Sequence, residues 1–285
     1  MNYRHRYHAG NICDVVKHIS LLTLIDFMHR KTTPCALFDT HAGCGLYDLS
    51  GVEARKTGEA DSGIRTFLAS PEAHAFPSYL AALCKANPGL LTEKTINPAA
   101  LRFYPGSPFL IAHQLRPQDR YIAVELHPED FAELKRRVGK NRQIQCHNRD
   151  GFEALGALTP PPERRGLALI DPPYEQPDDY DRIIAMARQG QKFWATGVYA
   201  IWYGVKDRPA IQRFHDGLAA AGIGKTLVLE FIYAPTANDV LHGSGMVVIN
   251  PPWKFAEEMR RIHPRLHAAL GSAVRESKIA WLASA

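Results

Sequence analysis

The sequence predicts an α/β fold built on a mostly parallel, doubly wound sheet. Short apolar runs recur, each followed by a helical pattern, in CALFDTHAGCG, DRYIAVELHPEDFAELKRRV, RQIQCHNRDGFEALGAL and RGLALIDPPY. Each of the four is closed by an acid: Asp39, Glu125, Asp150 and Asp171. Three further apolar runs, ATGVYAIWYG, TLVLEFIY and GMVVIN, come later. Strands alternating with helices form a sheet covered on both faces, and ligands of such sheets bind beyond the carboxyl ends of the strands.

The elements follow in order. Residues 11–30 place apolar side chains at helical spacing from Ile12 to Met28, with Asn11 as N-cap. A buried strand then ends at Asp39 and turns through Gly43 and Gly45. A second strand runs to Glu125, and Pro128 opens the next helix, as proline favours at a first turn. Further helices are expected from about Asp178 and over 207–221. From Asp39 to Glu125 the chain covers 86 positions, whereas one βαβ step needs roughly 30. The excess contains TGEADSGIRTFLAS and FPSYLAALCKANPGLL, both helix-like. It reads as a helical insertion at 47–100, within a main domain of 1–46 and 101–285.

Composition narrows the class. The 285 residues are 46% hydrophobic and 22% charged, which excludes disorder as the main state and permits a core without staples. Lys+Arg 34 against Asp+Glu 29 gives +5, too little alone to indicate a nucleic-acid partner. The five cysteines are scattered with no CxxC pair, so reduced thiols and no metal site are expected. The N-terminus lacks an apolar signal region, and no run approaches the ~20 apolar residues of a membrane span. A soluble cytoplasmic protein is expected.

DPPY at 171–174 is the most informative motif. The lone pair of an exocyclic amine such as adenine N6 is delocalised into the ring. Hydrogen bonds from that amine to the Asp171 carboxylate and the Pro172 carbonyl would favour a pyramidal, nucleophilic nitrogen. Proline fixes φ and offers only a carbonyl, and Tyr174 can stack on the base. Such an acceptor must be unstacked or flipped. The plain alternative is a strand-ending turn; the series of strand-end acids favours the functional reading. NPPW at 250–253 fits the same pattern but comes too late in the chain to follow the fourth strand, so it reads as a strand terminus.

DTHAGCG has the Gly43-x-Gly45 spacing for close approach of a nucleoside, but Asp48 breaks the full dinucleotide pattern. S-adenosylmethionine is thus a better candidate than NAD. Glu125 is placed for ribose hydroxyls and Asp150 for an adenine amino group. YRHRYH at 3–8 interleaves rings with cations and suits RNA contact or a frayed terminus. The 131–150 stretch holds six Lys/Arg against two acids, a phosphate-facing surface or a solvated helix face. AAGIGKT at 220–226 resembles a P-loop, but Ala219 replaces its first glycine. His263 and His267 lack a third metal ligand in sequence.

Taken together, YRHRYHAGN, DVVKH, DTHAGCG, FYPGSP, ELHP, DGF, RRGLALIDPPYE, FWATGVYAIWY and GSGMVVINPPW resemble the bacterial 23S rRNA (adenine-N6)-methyltransferase J family along nearly the whole chain. The resemblance implies a class I Rossmann-like, S-adenosylmethionine-dependent methyltransferase fold with a small helical insertion, acting on 23S ribosomal RNA. It implies cofactor contacts at His18, His41, Ser107, Glu125, Asp150, Gly151 and Asp171, with Asp171 catalytic and Tyr3 touching RNA. His5 and Lys17 are further candidates for substrate or proton handling. Cys13 and Cys44 stand where the family usually has Ala, and Cys44 raises the prospect of oxidation-sensitive cofactor binding. A monomer is expected. The competing readings are a DNA adenine methylase, a protein-glutamine methyltransferase, and a nucleic-acid-binding factor for use of external DNA.

Overall fold

The computed structural model describes residues 4–93, 95–233 and 241–283. Eight strands form one sheet: β1 (Ala36–Asp39), β2 (Arg120–Val124), β3 (Ile144–His147), β4 (Gly166–Ile170), β5 (Val198–Val205), β6 (Thr226–Tyr233), β7 (Gly243–Ile249) and β8 (Val274–Ala283). Their order is β3-β2-β1-β4-β5-β7-β6-β8. Strands β3 through β5 are parallel, whereas β7, β6 and β8 join by antiparallel pairing. The chain leaves β1 toward β2 and β3 and then returns to β4 on the other side. That reversal opens a crevice between the carboxyl ends of β1 and β4.

Seven helices connect or cover the sheet: α1 (Ile12–His29), α2 (Ser107–Gln114), α3 (Pro128–Val138), α4 (Gly151–Leu158), α5 (Asp179–Phe193), α6 (Arg208–Ala220) and α7 (Phe255–Leu270). Alternate strand residues point to opposite faces, so the two faces build separate cores. On one face Leu37, Ala123, Leu169 and Val248 pack with α1, α2, α3 and α7. On the other, Phe38, Val124, Ile170 and Val247 pack with α4, α5 and α6. The result is a three-layer α/β/α sandwich, the class I Rossmann-like architecture.

Helix α1 is apolar around most of its circumference, as expected of a buried helix. One side meets the sheet through Leu21, Leu24 and Ile25; the other carries Val15, Ile19 and Leu22 against residues of 47–100. Asn11 caps it by accepting from the Asp14 backbone N–H. Residues 47–100 contain helices at Val52–Thr57, Thr66–Ala69 and Pro77–Ala86 and a π-helical turn at Asp61–Arg65. Their Phe67, Phe76, Tyr79 and Leu83 share one cluster with α1 and α7, so the segment is fastened to the main body by a common core.

Two elements go beyond the sequence reading. GMVVIN is not the end of the sheet, because α7 and the edge strand β8 follow it. NPPW does terminate a strand, but β7 lies antiparallel between β5 and β6, so this turn emerges at the amino edge of the parallel strands. In the N-terminal segment Arg4 pairs with Glu129 at 2.8 Å, and Arg6 with Asp130 at 2.9 Å. These contacts dock Arg4 and Arg6 on the first turn of α3. Tyr3 lies outside the described residues. No described helix is long and apolar enough to cross a membrane.

Candidate active site

The carboxyl ends of β1, β2 and β4, with the start of α4, surround a cavity of about 750 Å3, within the range of small-molecule sites. It is lined by His5, Lys17, His18, His41, Ser107, Glu125, Asp150, Gly151, Asp171, Pro172 and Tyr174. Every described residue expected in the site therefore faces one space.

Glu125 follows β2 and is 5% exposed. Its Oε2 accepts from the Gly43 backbone N–H and its Oε1 from the His127 N–H, both at 2.7 Å. Burial pushes its pKa up, and the two backbone donors oppose the rise. Each oxygen retains a lone pair, so the pair of oxygens suits a vicinal diol. Gly43 holds its loop with φ +64°, a conformation that favours glycine.

Asp150 caps α4 by accepting from the Phe152 and Glu153 N–H groups through Oδ1. Its Oδ2 lies 3.4 Å from Arg182. The acid at the end of β3 is thus part of the helix cap, a role beside the adenine contact expected of it. Gly151 follows, and a Cβ there would lie 2.1 Å from the Thr40 carbonyl. Only glycine lets α4 press this closely on the loop bearing His41.

His41 is partly buried, and loss of solvent around it pushes its pKa down to about 4. Its Nδ1 lies 2.8 Å from the Thr40 hydroxyl, whose own hydrogen goes to the Leu169 carbonyl. That network assigns Nδ1 as donor and leaves Nε2 an acceptor. His18 is likewise neutral, pushed down to about 3 by burial. Its Nδ1 bonds the Tyr104 hydroxyl at 2.8 Å, and Tyr104 bonds Tyr79 at 2.9 Å.

Asp171 follows β4. Its Oδ2 accepts from Lys17 Nζ at 2.6 Å, and Lys17 also reaches Asp14 Oδ1 at 3.0 Å. Asp14 Oδ2 takes two further partners, His5 Nε2 and the Gly10 N–H, each at 2.9 Å. His5 and Lys17 therefore converge on one buried carboxylate. Tyr174 has φ +54° and donates to the Trp202 carbonyl. Its ring packs on Tyr180 and Trp202, which fixes the turn. Pro172 is buried between Asp171 and Pro173.

Sequence reasoning missed Asp14, Trp202 and the depth of Asp39. Asp14 stands three residues before Lys17, a spacing that puts both on one helix face. Trp202 carries Lys17 Nζ at 5.3 Å from its ring centroid. Asp39 is fully buried, and burial pushes its pKa up to about 7, with Asp171 adding to the rise. Its Oδ2 accepts from the Tyr121 hydroxyl at 3.3 Å, Oδ1 has no close hydrogen-bond partner among the described residues, and the Ser107 side chain and His41 backbone oppose the rise.

Two other features resolve as structural. Cys44 donates to the Leu46 carbonyl, and burial raises its pKa, so its thiol is poorly suited to oxidation. His29, Cys35 and Asp119 bring ligand atoms within 4.8 Å of one another. Arg116 already grips Asp119 at 2.8 Å, and the Cys35 N–H donates to the same carboxylate. Burial pushes the Cys35 thiol up to about 12, opposite to what a metal ligand needs.

The donor set fits a nucleoside carrying an amino-acid tail: a diol acceptor at Glu125, a glycine-tight loop at 40–43, neutral imidazoles and the buried acid at Asp39. Comparison with known proteins identifies the family. Residues 32–283 match the family model described as "Ribosomal RNA large subunit methyltransferase D, RlmJ". A curated protein of Haemophilus influenzae, "Ribosomal RNA large subunit methyltransferase J", is 41% identical over 273 residues, covering 95% of this chain and 94% of its own. One of the same name from Escherichia coli K12 is 38% identical over 284 residues, covering 99% of each. A crystal structure of a Legionella pneumophila protein superposes with a TM-score of 0.85 at 31% identity, covering 96% of this chain and 98% of that one. With sequence and fold matched over nearly full length, the chain belongs to the RlmJ family of ribosomal RNA large subunit methyltransferases.

Proposed function

We propose that the protein transfers a methyl group from S-adenosylmethionine to the N6 of an adenine in 23S ribosomal RNA. The observation that carries this reading is the Asp171-Pro172-Pro173-Tyr174 turn. It stands at the end of β4 in the same cavity as Glu125 and His41, with Asp171 held 2.6 Å from Lys17. The cofactor supplies an electrophilic methyl group. Glu125 binds the ribose diol, and Asp150 and the loop at Gly151 flank the adenine. His18, His41 and Ser107 line the remainder of the cofactor's site.

The acceptor base enters flipped, at a cost of a few kcal/mol in lost stacking. Lys17 occupies Asp171 Oδ2 and leaves Oδ1 to accept an N6 hydrogen. The Pro172 carbonyl accepts the other, and Tyr174, locked by Trp202, presents a face to the base. With S-adenosylmethionine bound, the methyl–sulfur bond would break as the new N–C bond forms, leaving neutral S-adenosylhomocysteine, and the surplus amine proton would pass to Asp171 Oδ1. Holding the amine in line with the methyl group supplies most of the acceleration. His5 and Lys17 keep Asp14 and Asp171 in register, and Tyr3 precedes this cluster as an RNA contact. The same proposal treats 47–100 as an insertion in a domain of 1–46 and 101–285, and takes the enzyme to be a cytoplasmic monomer that needs no metal.

The test is transfer from labelled cofactor to protein-free 23S rRNA, intact large subunits, duplex DNA and release factor. Label in rRNA is expected. Label confined to DNA or to protein would move the assignment to a DNA adenine methylase or a glutamine methyltransferase. Binding of DNA with no transfer to any acceptor would favour the nucleic-acid-binding reading.

A further inference from the structure

A second large recess lies at the other end of the sheet, lined by segments that precede β1, β4 and β5 and by the turn that follows β7. Its volume is about 1060 Å3. The NPPW turn, which the catalytic reading leaves without a use, forms one wall. Trp253 is 83% exposed, and Phe193 on the facing wall is 51% exposed. Isolated exposed apolar residues need no explanation, but two exposed aromatic rings lining one recess do.

The turn is built to hold that ring outward. Asn250 adopts φ +52°, and its Nδ2 donates to the Ala195 and Gly197 carbonyls at 2.9 and 3.0 Å. Pro251 and Pro252 each fix φ, and Lys254 closes the turn at φ +65° before α7 begins. The backbone that carries Trp253 therefore needs no reordering on binding a planar partner.

The charge of the recess is one-sided. Arg30, Lys31 and Arg164 line it, are exposed, and have no carboxylate within ion-pairing distance among the described residues. Its lining acid, Glu163, is taken up by Arg120 at 3.0 Å. Arg165 is spent internally on the Thr33 and Met28 carbonyls. Net cations flanking exposed rings complement a strand that offers phosphates and stackable bases, which is the recognition chemistry of single-stranded nucleic acid. A protein partner would be offered the same rings but would need an acidic surface to match these cations.

We infer that this recess is a second RNA-binding site, in which an unpaired base stacks on Trp253 while Arg30, Lys31 and Arg164 contact the adjoining phosphates. It rests on the reading that RNA is the substrate and adds a docking point on the opposite edge of the sheet from the methyl-transfer cavity. An RNA long enough to reach around the enzyme engages both sites; a short one occupies only the catalytic site.

The test is titration of the full chain with a fluorescent, unstructured single-stranded RNA in the absence of cofactor, at several salt concentrations. Trp253→Ala is expected to weaken binding by roughly 5- to 150-fold, the loss of one stacked base, and Trp253→Phe to restore much of it. Lys31→Glu with Arg164→Glu is expected to weaken binding and to flatten its salt dependence by about two phosphate contacts. In methyl transfer, Trp253→Ala raises KM for full-length 23S rRNA and leaves kcat, cofactor Kd and KM for a short hairpin unchanged. Wild-type RNA affinity in both variants overturns the inference. So does unaltered RNA binding together with lost self-association in sedimentation, which would make the recess an interface between copies of this chain. Binding is read without turnover, so failure of the methylation assignment shows separately, as RNA bound but never labelled.

Discussion

Lys17→Met removes the cation that joins two carboxylates. Lys17 is 5% exposed and lies 2.6 Å from Asp171 and 3.0 Å from Asp14. Breaking a buried ion pair by removing one partner costs about 3–5 kcal/mol, because the other charge stays buried. Asp14 retains His5 and the Gly10 N–H, and the Asp171 side chain is 16% exposed. Both facts place the cost near the low end, about 3 kcal/mol. Against a total of about 5–15 kcal/mol that is a large loss, and it lowers Tm by roughly 5–10 °C. Urea unfolding of wild type, Lys17→Met, Asp171→Asn and the double variant measures it. Neutralising Asp171 in the Lys17→Met background should recover part of the stability and none of the activity. A loss under about 1 kcal/mol, the range of a surface pair, or additivity of the two changes, would refute the coupling.

Three further outcomes follow from the same geometry. Asp171→Ala should lower kcat by about 100-fold or more, while calorimetry still detects cofactor binding; wild-type kcat would remove Asp171 from the chemistry. Gly151→Ala drives a Cβ into the Thr40 carbonyl and should weaken cofactor binding by about 5- to 150-fold, for a strain of roughly 1–3 kcal/mol; unchanged affinity would mean that α4 does not fix the His41 loop. Burial raises Asp39 from its ordinary 3.8 to about 7, so the folded state holds a proton that the unfolded chain has lost. The stability this gives is complete below the unfolded value and lost as pH rises through about 7. Wild type should therefore lose stability between about pH 4 and 7 relative to Asp39→Asn and level off above, as read by urea unfolding; parallel pH profiles would show that Asp39 does not titrate there.

Much of this was legible in the sequence because the sheet's period and its strand-end acids are local signals. Asp39, Glu125 and Asp171 each close an apolar run, and the topology brings those ends together without further instruction. Helix α7 was not legible, since Pro264 lies inside it and local rules disfavour proline there. The stripe of Phe255, Met259, Leu266 and Leu270 buried in the cores wins over that local cost. Strand β8 was hidden for a different reason: RESKIAWLA is an edge, whose charges keep it from reading as a buried run.

Site partners were the least visible layer. Nothing near Lys17 in sequence says that it crosses to Asp171, 154 positions away, or that Arg4 and Arg6 are consumed by α3. The docking of the N-terminal segment on α3 also changes the meaning of its charge: those arginines are paired with Glu129 and Asp130 and hold the segment that brings His5 to the cavity. Tyr174 keeps its hydroxyl occupied by Trp202, which leaves its ring as the group available to a base.

The central claim is tested most directly by the identity of the methylated nucleoside. Protein-free 23S rRNA incubated with enzyme and isotopically labelled cofactor is digested to nucleosides and resolved by mass spectrometry. The account predicts labelled N6-methyladenosine with wild type and none with Asp171→Ala. Label on a ring nitrogen, a ribose hydroxyl or another base, or labelled N6-methyladenosine persisting in Asp171→Ala, would contradict it.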